Sequence, residues 1–146
     1  MFASAPTVRQ VAALPFVPLE TGLEVLLTTS RKSGRWILPK GSVKRGEGLP
    51  EAAAREAQEE AGVVGEIQPE PIGEFTYLKK MPQGYRVGCH VFVYPLLVRE
   101  QHLDWPERDQ REFRWVSIAD AAVLVSDRGL MRVLRNLSKK DNYTTL

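Results

Sequence analysis

The alternation of apolar and polar positions predicts a series of β-strands along the chain. Two compact apolar runs, residues 8–17 and 23–29, are separated by a turn at Glu20-Thr21-Gly22 and indicate the first two strands. Pro15 and Pro18 favour an edge position for the first strand, or its end, because proline cannot donate a ladder hydrogen bond. Later apolar runs predict four more strands, over residues 36–38, 72–79, 85–98 and 111–116.

The segment between Pro50 and Gly62 predicts an α-helix. Proline is favoured in the first helical turn, where its missing N–H would have had no partner. Glycine readily adopts the left-handed conformation that ends a helix. The alanines between them are strong helix formers with little bulk. Three glutamates at i, i+3 and i+4 share one face of this helix: Glu56, Glu59 and Glu60.

Two further helices are predicted near the C-terminus. Ser117 has the position of an N-cap for residues 118–125. Asp127 has the same position for residues 128–137, in which apolar residues recur on one face. The polar tail that follows is predicted to be loose. Strands on both sides of the first helix, with helices at the end, indicate an α/β fold whose mixed β-sheet is covered on two faces.

Charge is distributed unevenly around the first helix. Residues 31–45 carry six bases and no acid, whereas residues 47–60 carry five glutamates and a single base, Arg55. Carboxylates of this kind are the ligands that Mg²⁺ prefers, and lysine or arginine neutralises phosphate groups. A surface that needed only solubility would intersperse the two signs. The pattern therefore favours metal-assisted chemistry on a polyphosphate over a plain solvated acidic face.

A family resemblance is carried by residues 41–63. Gly41, Glu47 and the run REAQEEAGV that begins at Arg55 have the spacing of the Nudix hydrolase signature, with every required position filled. The resemblance implies an α/β/α sandwich with a mixed β-sheet. It also implies hydrolysis of a nucleoside diphosphate linked to another moiety, with Mg²⁺ or Mn²⁺ as cofactor.

The same resemblance assigns roles to individual residues. It implies that the metal ions are bound by three carboxylates and one carbonyl: Glu56, Glu59, Glu60 and Gly41. Glu47 would lie close to these ligands, and Arg55 would hold the glutamates by charge-assisted hydrogen bonds. One of these glutamates, or a carboxylate on a neighbouring loop, would act as general base, and we assign this role to Glu59. The predicted catalytic residues are Glu59, Glu56, Glu60 and Arg55.

Residues outside the signature narrow the resemblance to one branch of the family. The runs SR (30–31), RWILPKG (35–41) and REFRW (111–115) are similar to enzymes that hydrolyse diphosphoinositol polyphosphates and diadenosine polyphosphates. This similarity implies that substrate phosphates contact Ser30, Arg31, Arg35, Lys40, Arg111 and Arg9. Two departures from the animal pattern, Gln10 in place of a base and KGS (40–42) in place of three glycines, weigh more against the inositol substrate than the dinucleotide. An adenine would need an aromatic platform, for which the candidates are Tyr77, Tyr85 and Trp36.

Three other functions remain open at the level of the sequence. One is hydrolysis of oxidised nucleoside triphosphates, and a second is hydrolysis of the 5′-triphosphate end of RNA. The third is a non-catalytic domain that senses a nucleotide, although intact glutamates argue against it. Each would show a different response to a panel of phosphorylated substrates.

Composition sets the remaining bounds. A chain of 146 residues with 26% charged residues is long enough for one globular domain, spanning residues 1–146, with residues 138–146 as the loose tail. The net charge of +2 is too small to predict general nucleic-acid binding, and no apolar run reaches the length of a membrane span. The lone cysteine, Cys89, lies in an apolar run and is predicted to be a packed thiol. We find no signal peptide, so we predict a cytoplasmic protein whose partner is a small polyphosphate, with its oligomeric state left open.

Overall fold

The computed structural model describes residues 7–140, in which eight β-strands, three α-helices and one 3₁₀ turn are formed. The strands are β1 (Val8–Leu19), β2 (Gly22–Thr29), β3 (Trp36–Ile37), β4 (Lys40–Ser42), β5 (Val63–Ile67), β6 (Gly73–Lys80), β7 (Arg86–Gln101) and β8 (Phe113–Ser117). The helices are α1 (Leu49–Ala61), α2 (Ile118–Leu124) and α3 (Arg128–Ser138), and the 3₁₀ turn is Arg108–Gln110.

The strands form one mixed sheet with β1 near its centre. β1 runs parallel to β7 and antiparallel to β2 and β4. β3 and β8 pair with β2, and β5 and β6 pair with β7, all antiparallel. The edge position suggested by the prolines of β1 is therefore wrong. Pro15 is tolerated because it lies between residues 10–12, which pair with β4, and residues 16–19, which pair with β2, so its missing N–H leaves no partner unbonded there.

Helices cover both faces of the sheet, as predicted. Helix α1 lies on one face through its buried alanines, which pack with Val11, Leu26 and Leu96. Helices α2 and α3 cover the other face, where Leu130 and Leu134 join the larger of the two cores. Alanine lets a helix approach the sheet closely, so the glutamates of α1 are carried on a rigid, well-packed element.

The predicted N-terminal caps of the two C-terminal helices are confirmed. The hydroxyl of Ser117 accepts a hydrogen bond from the backbone N–H three residues later at 3.1 Å, and the carboxylate of Asp127 does the same at 3.0 Å. Helix α3 includes Ser138, the first residue of the predicted loose tail, and residues 141–146 lie outside the described part of the chain. Cys89 is buried, as predicted, with 1% of its surface exposed.

Two strands of the sheet were not predicted from the apolar pattern. β4 consists of Lys40, Gly41 and Ser42, none of which is a strong strand former, and β5 is interrupted by Gly65. Both are formed by pairing with long strands, β4 with β1 and β5 with β7. Between residues 7 and 140, no helix is long and apolar enough to cross a membrane.

Candidate metal and phosphate site

Arg55 is the centre of a cluster of charged side chains beside α1. Its Nε and Nη2 donate to the two carboxylate oxygens of Glu47 at 2.7 and 3.0 Å, and Nη2 also donates to the carbonyl of Ser42 at 3.0 Å. Its Nη1 donates to Oε1 of Glu56 at 2.8 Å and to Oε2 of Glu59 at 3.3 Å. The hydrogen bonds from Arg55 lower the pKa of Glu47 to about 2, and Glu47 in turn raises the pKa of Arg55. This geometry agrees with the positioning role that the family resemblance implies for Arg55.

Glu60 is the most deeply buried of the three helix glutamates, with 5% of its side chain exposed. Its Oε1 accepts a hydrogen bond from the backbone N–H of Lys40 at 3.2 Å, and its Oε2 lies 3.5 Å from Nη2 of Arg111. Burial is the main cause that raises the pKa of Glu60 to about 8; Arg111 opposes the shift, and the neighbouring Glu56 adds to it. Two buried carboxyl groups thus lie side by side, an arrangement that a cation would stabilise.

Gly41 leaves the space that Glu56 occupies. A Cβ atom built on Gly41 would collide with the carboxyl group of Glu56 and would lie only 2.7 Å from its Oε2. A glycine is therefore required here for the close approach of strand β4 to the helix carboxylate, and not for an unusual backbone angle. The carbonyl of Gly41 belongs to the same short strand that holds Glu60 through Lys40.

Replacement of Gly41 by alanine is expected to push the Glu56 carboxyl group out of its place and to reduce divalent-metal affinity by about tenfold or more. The fold should persist, because a collision with a side chain can be relieved by moving that side chain. Calorimetric titration with Mn²⁺ would measure the change. The matched control is Gly88→Ala, since a Cβ at Gly88 meets no atom within 4 Å. Equal Mn²⁺ affinity in the two variants would contradict this role for Gly41.

The donor chemistry of the helix glutamates fits a hard divalent cation, but their oxygens do not surround a common point. Within residues 7–140, no group of three or more His, Cys, Asp or Glu side chains is arranged so that it could hold a metal ion. Glu56 and Glu59 both accept hydrogen bonds from Nη1 of Arg55, at 2.8 and 3.3 Å, whereas Glu60 accepts one from the backbone N–H of Lys40. A cation bound by all three carboxylates would therefore require Glu56 and Glu59 to turn oxygens away from Arg55.

Lys40 contacts Glu60 through its backbone N–H, whereas its side chain reaches Tyr77 on the opposite face of the sheet. Its ammonium group lies 5.0 Å from the centre of the Tyr77 ring, and the Tyr77 hydroxyl donates a hydrogen bond to Oε1 of Gln10 at 2.7 Å. Burial lowers the pKa of Lys40, while the negative charge of Glu60 opposes that shift. Because the ammonium group covers a face of the Tyr77 ring, that face is not free to stack on an adenine.

The other predicted phosphate-binding residues lie in three different places: the loop after β2, strand β1, and the loop before β8 that carries Arg111. Ser30 and Arg35 organise the loop after β2: the Ser30 hydroxyl accepts from the Ser33 N–H at 3.1 Å, and Nε of Arg35 donates to the Ser33 hydroxyl at 3.1 Å. Arg31 extends from the same loop and is 58% exposed. The guanidinium of Arg9 instead lies over the Phe92 ring at 5.8 Å, on the face of β1 opposite Gln10. Among these residues, all in the described part of the chain, only Arg31 contacts the loop that carries Arg111: its Nη1 donates a hydrogen bond to Oε1 of Gln110 at 3.0 Å.

Arg111 is a buried arginine with 8% of its side chain exposed. Its Nε donates to Oε1 of Glu107 at 2.8 Å, its Nη1 donates to the carbonyl of Thr29 at 2.8 Å, and its Nη2 lies 3.5 Å from Glu60. These contacts favour a positioning role for Arg111 over direct contact with a phosphate. Glu107 was not identified from the sequence, although its place four residues before Arg111 is the spacing of a charge pair within one turn.

The loop of residues 102–112, here called the β7–β8 loop, is attached to the end of α1. The backbone N–H groups of His102 and Glu107 donate to the carbonyls of Gly62 and Glu59 at 2.7 and 3.1 Å. Gly62 ends α1 in the left-handed conformation, with φ of 71°, and a Cβ there would lie 2.7 Å from the Trp105 ring. The loop is therefore placed by main-chain hydrogen bonds and by an indole ring packed on a glycine.

A mixed sheet lies between helices, and the helix that carries the glutamates packs against strand β4 at Gly41. These features define the class of this protein. The profile of the NUDIX domain matches residues 8–136, and the chain belongs to the Nudix hydrolase family. Its α/β/α fold with a mixed sheet is that of this family.

Two relatives and one solved structure illustrate the similarity. The chain is 39% identical over 113 residues to Nudix hydrolase 21, chloroplastic, of Arabidopsis thaliana, covering 77% of this chain and 55% of the relative. It is 34% identical over 115 residues to diphosphoinositol polyphosphate phosphohydrolase 3-alpha of Mus musculus, covering 77% and 66%. The Ap4A hydrolase of C. elegans in a binary complex has the same fold, with a TM-score of 0.67, 23% identity and coverage of 90% and 96%. The chain spans about half the length of the curated plant relatives that it matches.

Proposed function

We propose that this protein hydrolyses a phosphoanhydride bond in a polyphosphorylated small molecule, in a reaction that requires Mg²⁺ or Mn²⁺. The observation that carries the proposal is the cluster in which Arg55 holds Glu47, Glu56 and Glu59 while Glu60 lies beside Lys40. Membership of the Nudix family and the printed names of the relatives support the same class of reaction.

The roles of the residues follow from their positions. Glu56, Glu59 and Glu60, with the carbonyl of Gly41, would hold the divalent ions. When bound, these ions neutralise the charge that develops on the scissile pyrophosphate and lower the pKa of the attacking water. Glu59 is the most exposed of the three carboxylates, and we assign it the task of accepting the proton from that water.

Phosphate binding falls to the bases around this cluster. Lys40 donates its backbone N–H to Glu60 and carries its ammonium group over the Tyr77 ring, and Arg31 extends from the loop after β2 with more than half of its side chain exposed. Lysine acts as a point charge and arginine as a two-pronged donor, so together they suit a chain of phosphates. The contact between Lys40 and the Tyr77 ring favours phosphate binding over base stacking at this position.

Diadenosine polyphosphates and diphosphoinositol polyphosphates are the first candidate substrates. The mouse relative is named for the second class, and the C. elegans protein of the same fold is named for a member of the first. Both classes carry many phosphate groups and at least one phosphoanhydride bond, which the basic residues of segment 31–45 would recognise. Nucleoside triphosphate hydrolysis and non-catalytic nucleotide sensing are the alternatives.

A substrate panel with Mg²⁺ tests the proposal. We expect metal-dependent hydrolysis of diadenosine penta- or hexaphosphate or of a diphosphoinositol phosphate, at a higher kcat/KM than for nucleoside triphosphates or ADP-ribose. Phosphorus NMR of the products, formed in ¹⁸O-labelled water, would identify the bond that is cleaved. A higher kcat/KM for nucleoside triphosphates would favour the alternative of nucleoside triphosphate hydrolysis. Binding of panel members without hydrolysis in either Mg²⁺ or Mn²⁺ would contradict the proposal and favour a sensor.

A further inference from the structure

Arg111 lies between two carboxylates at unequal distances. Its Nε is 2.8 Å from Oε1 of Glu107, the length of a strong charge-assisted hydrogen bond, whereas its Nη2 is 3.5 Å from Oε2 of Glu60. The carbonyl of Thr29 holds the third nitrogen, Nη1, at 2.8 Å. The guanidinium is therefore bonded most closely to Glu107 and Thr29, and its ion pair with Glu60 is the longer of the two.

Glu107 is held in place independently of Arg111. Its own backbone N–H donates to the carbonyl of Glu59, in the last turn of α1, at 3.1 Å. The packing of Trp105 on Gly62 fixes the same loop at the helix end. Glu107 can therefore act as a stationary anchor that draws the guanidinium toward the β7–β8 loop.

Glu60 is the carboxylate that would pair with Arg111 if this anchor were removed. It is 5% exposed, and its Oε2 is already within 4 Å of the guanidinium. A buried carboxylate without full compensation is unfavourable, so a released guanidinium would close onto it. The closed pair would occupy an oxygen that a divalent cation needs.

We propose that Glu107 is a positioning residue that holds Arg111 away from Glu60 and thereby keeps Glu60 available to bind a divalent cation. The inference rests on the proposed function, because it assigns Glu60 to the metal site of that reaction. It differs from a role for Glu107 as a metal ligand, since Glu107 acts on the metal site through Arg111; its other cationic neighbour, Nε of Arg31, lies farther away at 3.8 Å.

The test is a double-mutant cycle read by Mn²⁺ binding in the absence of substrate. Glu107→Ala is expected to weaken Mn²⁺ affinity by about tenfold, within the range known for residues that orient metal ligands. Glu107→Gln keeps an oxygen acceptor for the Arg111 Nε–H and should give a smaller loss. In the double variant Glu107→Ala/Arg111→Met no guanidinium remains to close onto Glu60, so its affinity should recover to within about threefold of the wild type.

The control is Asp104→Asn, which removes a carboxylate of the same loop whose side chain is 93% exposed and lies 4.0 Å from Arg108. Its Mn²⁺ affinity should equal that of the wild type. Thermal melts of all variants would show that they are folded, and the Gln variant carries the test if the Ala variant does not fold. Activity provides a further readout: Glu107→Ala should need more Mg²⁺ for half-maximal rate.

Two results would overturn the inference. Unchanged Mn²⁺ affinity in the single Glu107 variants would mean that the anchor has no effect on the metal site. A double variant as weak as Glu107→Ala would mean that Glu107 acts on the cation directly. Neither result bears on the proposed function, which is tested by hydrolysis with the wild-type protein. Conversely, a wild type that hydrolyses no substrate could still show the expected changes in Mn²⁺ affinity across the double-mutant cycle.

Discussion

Glutamine in place of Glu60 is expected to lower turnover of the substrate by a hundredfold or more while leaving the fold intact. The carboxylate is expected to hold a divalent ion whose stabilisation of the transition state amounts to several kcal/mol, and about 1.4 kcal/mol corresponds to a factor of ten in rate. The same change should raise the melting temperature of the metal-free protein at pH 8.5, because glutamine is neutral where glutamate must ionise in a buried place.

The pH dependence of that stability difference follows from the sign of the pKa shift. Glu60 has a pKa of about 8 in the folded protein against an ordinary value of 4.5, so the folded chain holds a proton that the unfolded chain releases. The wild type should therefore lose stability relative to Glu60→Gln as pH rises from about 4.5 to about 8.

Thermal melts of both proteins in EDTA, from pH 4 to pH 9, would measure this difference. We expect the two melting temperatures to converge near pH 4 and to separate by several degrees above pH 8. A separation that does not change with pH would contradict the raised pKa. Wild-type turnover in Glu60→Gln, at any pH, would remove Glu60 from the proposed metal site.

Replacement of Arg55 by methionine is expected to reduce both stability and activity more than any other single change outside the core. The side chain donates to three carboxylates and one carbonyl, and it is 20% exposed. Its removal leaves Glu56, with 11% of its side chain exposed, without a cation. We expect a loss of about 3 kcal/mol in the free energy of unfolding, measured by urea denaturation, and loss of measurable hydrolysis.

The matched control for this variant is Arg99→Met. Arg99 also forms a short ion pair, 2.9 Å from Glu66, but both side chains are about 60% exposed. An exposed pair of this kind contributes at most about 1 kcal/mol, so the control should unfold almost like the wild type. If both arginine variants were equally stable, the charged cluster at α1 would have no special role in holding the fold together.

The features that could be predicted from the sequence are those that depend on neighbours within a few residues. Helix α1 and its end at Gly62, and the caps at Ser117 and Asp127, are local and were predicted correctly. The central place of β1 could not be predicted, because it is set by pairing with β7, a strand far along the chain. The apolar pattern of β1 is the same whether it lies at the centre or at an edge of the sheet.

The candidate site divides in the same way. The contact between Arg55 and Glu59 follows from the i, i+4 spacing, whereas the contact between Arg55 and Glu56 was implied only by the family resemblance; both are present in the structure. The side chain of Arg9 faces away from Gln10, because successive residues of a strand point to opposite faces. Glu107 lies in a loop without apolar periodicity, and only the folded chain brings its carboxylate to the end of α1.

The parallel pairing of β1 with β7 has a consequence for folding during translation. β1 is synthesised before β2 to β6, whereas β7, its parallel partner, is synthesised only after them. Contacts between such distant segments form slowly, since a long loop must first be closed. During translation the apolar strand β1 can therefore pair first with β2 and β4. The edge of β1 that later pairs with β7 stays unpaired, and accessible to chaperones, until the sixteen residues of β7 have been synthesised.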